Sequence, residues 1–564
     1  MTKIWQILSQ SAQAGKNPKF DIVDVLLKNR GIKDGREFFS PKDPAKIKIE
    51  EVGIKKLEVT KAIKRIKQAI KKKEKIIIYG DYDADGVCAT AILWEALYNL
   101  YKNVLPYIPE RFSEGYGLNI KSIQKLKKED DNLKLIITVD NGIVANEAVE
   151  AANKLGIDVI VTDHHLPRLS KTGKLLLPSA HSLIHSTLIG GAAVAWFFAK
   201  ELVPSAYSLM PSLELAAIGT LADQIPLSGI NRSIVKFGLK ALNTTKRAGL
   251  ATMIADAALK PGEIGTYEVG FVLAPRINAM GRLEHAIESL RLLCTKDSQK
   301  ASELSKKLSR VNAERQKIVE EVVTHTLRQT QGKPANKIIV IAHESYHEGV
   351  IGLAAGKLVE EFYRPAIVIS KGEKLAKASA RSISGFNIIE AIRSVEHLII
   401  QGGGHPMAAG FTIESSKIEE FETQINKVSD KLLNEEVMQR KLKIDLEIKF
   451  DQINLPRLAA GKAGWALAEK LQEFEPTGLG NPIPTFCSRE VEVIDARVVG
   501  ADGKHLKLKL KQGNTFFGAI AFGFGELLAK ITPDTKIDIA YAIEVNSWNG
   551  SREIQLKVKD ISIA

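Results

Sequence analysis

Residues 76–86 read IIIYGDYDADG: three isoleucines, a break at Gly80, then carboxylates at alternate positions, Asp81, Asp83 and Asp85. The isoleucine run predicts a buried strand. Aspartate is a poor strand residue, so three of them at a strand end need a cause beyond the backbone. Like charges this close repel unless a cation sits between them, and a divalent cation takes oxygen ligands. The plainer alternative is an acidic turn whose side chains bond nearby backbone.

Two further apolar runs end the same way. Residues 135–141, LIITVDN, lead into Asp140, and residues 159–165, VIVTDHH, into Asp163, His164 and His165. Residues 216–227, AAIGTLADQIPL, carry Asp223 just after an apolar segment. Helical stretches at 90–101 and 145–155 alternate with the strands, which predicts a parallel α/β sheet. Ligands bind such sheets at the carboxyl ends of the strands. All four acidic clusters are expected at that end, sharing one site. Carboxylates alone suit magnesium, and added imidazole shifts the preference toward manganese or another transition metal.

Downstream, residues 286–331 have unbroken helical periodicity, ended by Gly332-Lys333-Pro334. Short strands at 337–342 and 366–370 flank a helix at 349–362, and Gly402–Gly404 reads as a glycine loop before His405. From about residue 440 the pattern turns to strands, at 442–448, 490–499, 505–511, 515–522, 536–545 and 553–561. Asn549-Gly550 is a hairpin turn signal. Five close strands with a short helix at 526–531 suggest an OB-fold, a frequent single-strand binder. Lys504, Lys507, Lys509 and Lys511 favour nucleic acid there.

The motifs DYDADG, TVDNGI, TDHH and GTLADQIPL resemble, in order and spacing, the four motifs of the DHH phosphoesterase superfamily. The nearest likeness is to its branch of single-strand-specific 5′→3′ exonucleases. PERFSEGYG (109–117), APRINAMGRL (274–283), HEGVIGLAAGKL (347–358), SARS (379–382), GGGHPMAAGF (402–411) and EPTGLGNPIPTF (475–486) match the same family. The resemblance covers nearly the whole chain. It implies an α/β architecture: a lead segment (1–56), a parallel-sheet DHH catalytic domain (57–285), a long connecting helix (286–331), a smaller α/β DHH-associated domain (332–430) and a C-terminal OB-fold β-barrel (431–564).

The same resemblance implies two divalent cations, manganese first and magnesium second. Their ligands would be Asp81, Asp83, Asp85, Asp140, His164 and Asp223. Asp140 would bridge, with Asp83 and Asp81 on one ion and Asp85, His164 and Asp223 on the other. His165 would join Asp83, Asp85, Asp140, His164 and Asp223 as a catalytic residue, touching the scissile phosphate or orienting its neighbours. Asp163 would fix a histidine tautomer. Arg276, Asn278 and Arg282 would contact phosphate, unless they form an arginine network beneath a turn. Arg111, Ser379 and Arg381 would bind a 5′-phosphate. Gly402, Gly403, Gly404 and His405 would let the nucleotide approach the backbone, and His343 and His347 would face the cleft. Tyr79 stands where many relatives carry histidine. The exonuclease branch also lacks that histidine, which points away from the pyrophosphatase and small-nucleotide branches.

Composition agrees. The 564-residue chain has Lys+Arg 79 against Asp+Glu 66, a formal charge of +13, suited to a polyanionic partner. The lysines of residues 61–75 read as a solvated helix face. Cys88, Cys294 and Cys487 are far apart, without zinc or disulfide spacing, which fits a reducing, cytoplasmic compartment. The first residues lack a signal pattern, and no apolar run approaches the ~20 residues of a membrane span. The expected activity is 5′→3′ hydrolysis of single-stranded DNA to mononucleotides in repair and recombination, beside a helicase and a single-strand-binding protein. One alternative is a phosphodiesterase of short oligonucleotides or cyclic dinucleotides, against which Tyr79 and the barrel argue. The other is a non-enzymatic replication scaffold, against which the complete acid and histidine set argues.

Overall fold

The computed structural model describes residues 3–9, 21–170, 172–330, 336–453, 465–500, 502–548 and 551–563. The helix stop at Gly332-Lys333-Pro334 and the Asn549-Gly550 turn lie outside them. The chain divides into two units, residues 42–438 and residues 1–41 with 439–564.

The larger unit begins with a five-stranded sheet. Its strands are β1 (Lys75–Tyr79), β2 (Val104–Tyr107), β3 (Leu133–Val139), β4 (Asp158–Asp163) and β5 (Ser182–His185). The order is β2-β1-β3-β4-β5, and every pairing is parallel. Parallel sheets are covered on both faces, which is why β1 and β3 are almost continuously buried and apolar. Strand order reverses between β1 and β3, so their carboxyl ends form the crevice where such sheets take ligands.

Helix α1 (Ala84–Leu100) follows β1 and starts six residues earlier than its periodicity suggests. The reason is local: Asp83 is the N-cap, its side chain accepting from Gly86 N at 2.9 Å. Asp85 therefore stands in the first helical turn rather than in a turn outside it. Helices α2 (Gly191–Leu202) and α3 (Leu213–Ala222) pack on α1, and all three are mostly buried. Helix α4 (Ala248–Asp256) and helix α5 (Ala274–Leu283) also belong to this half. Asp223 caps the carboxyl end of α3, so this fourth acid reaches the site from a helix rather than from a strand end.

The expected single connecting helix is two. Residues Ile287–Cys294 form one, and α6 (Ser298–Thr330) the other. Asp297 accepts from the backbone of Gln299 and Lys300, so the longer helix has its own start. The lysines of the Lys56–Lys71 helix are exposed on its outer face, while Val59, Ala62, Ile66 and Ala69 are buried.

The second sheet of this unit has strands β6 (Ile339–His343), β7 (Ala366–Lys371), β8 (Leu375–Arg381), β9 (Ile399–His405) and β10 (Ala408–Glu414), with helix α7 (Ile351–Phe362) between β6 and β7. Its order is β9-β10-β8-β7-β6. The glycine run expected as a loop is instead the exposed edge strand β9, with Gly402, Gly403 and Gly404 opposite Phe411, Gly410 and Ala409. A Cβ on Gly402 or Gly404 would collide with β10, whereas Gly403 faces open space.

In the other unit, β11 (Phe486–Val499), β12 (His505–Gln512), β13 (Thr515–Ala521), β14 (Lys536–Trp548) and β15 (Ser551–Ile563) run in the order β11-β12-β13-β15-β14, and β14 closes back on β11. That closure makes the barrel, and Gly525–Lys530 is a 3₁₀ turn between β13 and β14. The lead segment belongs here as far as residue 41. Strand Ile4–Ile7 pairs in parallel with Lys441–Ile444, and Leu26 and Phe38 join Phe450, Phe474 and Phe486 in the core. Residues 42–56 instead bury Ile47, Ile49, Val52 and Ile54 in the larger unit.

Candidate active site

The acids converge at the β1/β3 crevice. Three groupings bring ligand atoms within 4.8 Å of one another: Asp81, Asp83 and Asp140; Asp85, His164 and Asp223; and Asp140, His164 and His165. Asp140 and His164 each belong to two of them. His164 Nε2 lies 3.1 Å from Asp140 Oδ1, 3.6 Å from Asp223 Oδ2 and 3.8 Å from Asp85 Oδ2.

Asp81, Asp83 and Asp85 are held by the backbone around them. Asp85 accepts from Gly191 N at 2.7 Å and Ala192 N at 2.9 Å, the first amides of α2. Asp81 accepts from Tyr82 N at 2.8 Å. Asp140 has φ +62, a left-handed backbone rare for a residue with a Cβ and a strain found at functional sites. Its Oδ1 is buried, lies 3.1 Å from His164 Nε2 and makes no aligned hydrogen bond. A buried unpaired carboxylate oxygen is costly, and a cation is the partner that satisfies it.

Electrostatics point the same way. Burial, then Asp85, Asp83 and Asp81, push Asp140 well above the usual carboxylate range. Burial and Asp83 do the same to Asp81. Burial, Asp223 and Asp83 raise Asp85 to about 8, and burial and Asp83 raise Asp223 to about 6. His164 is lowered to about 4 by burial and by His165, so its imidazole is neutral and free to ligate. The carboxylates and neutral imidazole fit divalent cations of the magnesium–manganese class.

His165 behaves oppositely. Burial works against its charge, but the 2.7 Å bond from Nδ1 to Asp163 Oδ1 prevails and raises it to about 9. Asp163 also accepts from Ile143 N, and it orients His165 rather than His164. Tyr79 is buried, receives a bond from Asn119 Nδ2 and donates to Gly117 O, away from the acids.

Asn278 Oδ1 accepts from Ala84 N at 2.8 Å and so pins the start of α1. Burial, then Arg111 and Arg315, bring Arg282 down to about 10, and Asp83 and Tyr82 are its opposing neighbours. Arg111 lies 5.0 Å from the Tyr82 ring centre. Arg276 faces elsewhere: its Nη1 donates to Val272 O, and the carboxylate acting on it is Asp256. Across the cleft Arg381 Nη1 donates to Ser379 Oγ at 3.2 Å, beside Gly352 in the first turn of α7. The two halves touch where Arg282 Nη1 donates to Gly349 O. Gly403, Gly404 and His405 are exposed on β9. His347 meets the Phe112 ring at 5.6 Å, whereas His343 packs with His325 and Tyr346.

Sequence reasoning missed Arg315 and the aromatics Tyr82, Phe112 and Tyr116. Arg315 comes from α6, and its buried Nε has no partner. Tyr116 OH lies 3.4 Å from His165 Nε2, and Tyr82 and Tyr116 meet at 5.9 Å. Phe112 and Tyr116 were visible in PERFSEGYG as exposed-type aromatics beside an arginine. The whole-chain aromatic share concealed how they cluster.

Models for the DHH family N-terminal domain, the DHHA1 domain and the RecJ OB domain match residues 75–220, 314–431 and 444–560. The chain is 33% identical over 499 residues to the single-stranded-DNA-specific exonuclease RecJ of Thermus thermophilus, covering 88% of this chain and 70% of that one. The chain belongs to the RecJ family of single-stranded-DNA-specific exonucleases. A second RecJ, from Bacillus subtilis, is 36% identical over 515 residues, covering 89% of this chain. The chain spans 63% of the length of that relative. The crystal structure of Thermus thermophilus RecJ with Mn2+ superposes with a TM-score of 0.81 at 27% identity, covering 100% of this chain and 80% of that one. The Mg2+ complex of RecJ from the same organism gives 0.74 at 26% identity, covering 100% and 78%. Thus RecJ structures carry either cation, and this chain has a donor set suited to both. No helix among the described residues is long and apolar enough to cross a membrane.

Proposed function

We propose that the chain degrades single-stranded DNA from the 5′ end to mononucleotides, using two divalent cations, manganese in preference to magnesium. The observation that carries this reading is the buried Asp140, which shares one cluster with Asp81 and Asp83 and another with His164 and His165. Asp81, Asp83 and Asp140 would hold one cation; Asp85, His164 and Asp223, with Asp140 shared, the other. The cations supply Lewis-acid activation of water and neutralise charge on the reacting phosphate.

The chain's own groups bind and orient the strand. His165, positively charged at neutral pH, donates from Nε2 to a phosphate oxygen while Asp163 holds Nδ1. Arg282 and Arg111 add positive charge beside Asp83 and Tyr82. Arg111, Ser379 and Arg381 receive the 5′-phosphate, so the bond cut always lies near that end. Tyr82, Phe112 and Tyr116 offer faces on which bases stack regardless of sequence. The glycine edge of β9 lets the strand lie against backbone. Arg276, turned toward Asp256, takes no part. In the barrel, Lys509 and Lys511 lie about 6 Å from the exposed Phe516 ring, a basic–aromatic pairing suited to single strands. Work in the cytoplasm beside a helicase and a single-strand-binding protein, in repair and recombination, follows from a substrate that must first be unwound.

End-labelled single-stranded DNA digested with Mn2+, with Mg2+ and with chelator tests the reading. Labelled mononucleotide from the 5′ end, with a 3′ label retained in shortening oligomers, is expected. Binding without cleavage under either metal would favour a scaffold, and cleavage confined to dinucleotides a small-nucleotide phosphodiesterase.

A further inference from the structure

A cavity of ≈ 1150 Å³ opens away from the acid cluster in the first half of the larger unit. Trp94, Glu95 and Tyr98 of α1 and Glu214 of α3 line it. Glu95 is ten residues beyond Asp85, about 15 Å along the helix axis. The cavity and the acid cluster therefore lie at opposite ends of the same two helices, since Asp223 caps the other end of α3.

The cavity wall is built. Arg247 donates from Nη1 and Nη2 to Glu95, from Nε to Glu214 and again from Nη1 to Leu293 O, so its charge is spent on two carboxylates. Burial works against the charge of that guanidinium, but its bonds to Glu95 and Glu214 prevail and keep it charged, making a rigid floor. Trp94 donates Nε1 to Val104 O at 3.1 Å, fixing its ring, and Tyr98 stacks on it with centres 5.0 Å apart and planes at 29°. Lys102 Nζ lies 4.0 Å over the Tyr98 ring. Lys240, Lys246 and Lys296 also line the cavity, and none has a carboxylate partner among the described residues.

Arg247 offsets one of the two glutamate charges, so the four lysines leave a clear excess of positive charge around an aromatic pair. A ligand satisfying both features has a planar aromatic group and several negative charges. We propose that this cavity is a nucleotide-binding site, taking a purine base against Trp94 and Tyr98 and a phosphate chain between Lys102, Lys240, Lys246 and Lys296. Ring stacking and cation contacts reward a base at this place. The lysines act as point charges on phosphate rather than as bidentate clamps, which suits a polyphosphate of variable reach. The site is separate from the cleft, and the proposal does not depend on the reaction assigned there.

Photolabelling of the full chain with 8-azidoadenosine triphosphate, in chelator to silence the metal cluster, is the test. Mass spectrometry is expected to find label on peptides within residues 94–102 or 240–247, reduced about tenfold or more by excess ATP. The exposed pair Lys240→Glu/Lys246→Glu should lose that label while digesting single-stranded DNA at the unmodified rate. Label confined to cleft peptides, label undiminished in the double variant, or no label would each overturn the proposal.

Discussion

Gly191 lies so close to Asp140 that a Cβ on it would stand 2.2 Å from Asp140 Oδ1. Its N–H also bonds Asp85 Oδ2 at 2.7 Å. The first residue of α2 thus sets the spacing of two carboxylates, one just past the end of β3 and one in the first turn of α1. A Cβ on Gly219 of α3 would likewise stand 2.2 Å from Asp85 Oδ1. Gly191→Ala should displace Asp140 by the order of an ångström and lower nuclease activity about 10²-fold. Asp140→Ala should abolish hydrolysis. Single-strand binding, read by fluorescence anisotropy, should survive in both variants, and undiminished hydrolysis by Asp140→Ala would remove the bridging role.

Metal uptake should depend on pH. Without cations the cluster keeps protons, because Asp85 is raised to about 8 and Asp223 to about 6. Cations must displace those protons, so Mn2+ affinity should rise from pH 6 to pH 8 with proton release. Titration calorimetry in two buffers of different ionisation enthalpy reads that release. The stability of the chelated protein follows the same sign. Between the ordinary carboxylate range near 3.8 and about 8, the folded state holds protons the unfolded chain has lost. Stability should therefore fall as pH rises through that window, and saturating Mn2+ should restore it. Affinity and stability that do not change with pH would contradict these shifts.

Arg111 and Arg381 sit on opposite halves of the larger unit. Burial lowers Arg381 below the usual guanidinium range. Charge-assisted bonds to phosphate are strong, so replacing both by alanine should reduce preference for 5′-phosphorylated ends roughly tenfold or more in a competition digest. Cleavage of unphosphorylated ends should change little. An unaltered preference would argue against a 5′-phosphate pocket here.

Arg30 and Asp445 form a buried pair at 2.8 Å between the lead segment and the barrel region. Arg30 also donates to Asn481, Leu26 O and Pro482 O. Arg30→Ala leaves Asp445 buried without its partner, at a cost of about 3–5 kcal/mol. Chemical denaturation should show the barrel unit losing stability by that order. A change below about 1 kcal/mol would mean that water replaces the guanidinium.

The acids, the histidine pair and the strand-then-acid pattern were legible in the sequence because the local cause is strong. Apolar β-branched runs make strands, and parallel sheets carry their sites at strand carboxyl ends. The family motifs likewise marked Arg111, Arg282, Ser379 and Arg381. Only tertiary structure decided where Asp223 comes from, that Asp163 orients His165, that Arg276 turns away while Arg315 joins, and that the glycine run is a strand. It also joined residues 1–41 to a barrel more than 400 positions later. Periodicity and composition report the face a residue presents to its neighbours in sequence. Register, helix ends and the partners of long polar side chains depend on surfaces brought together from distant positions, and these exist only once the chain has folded.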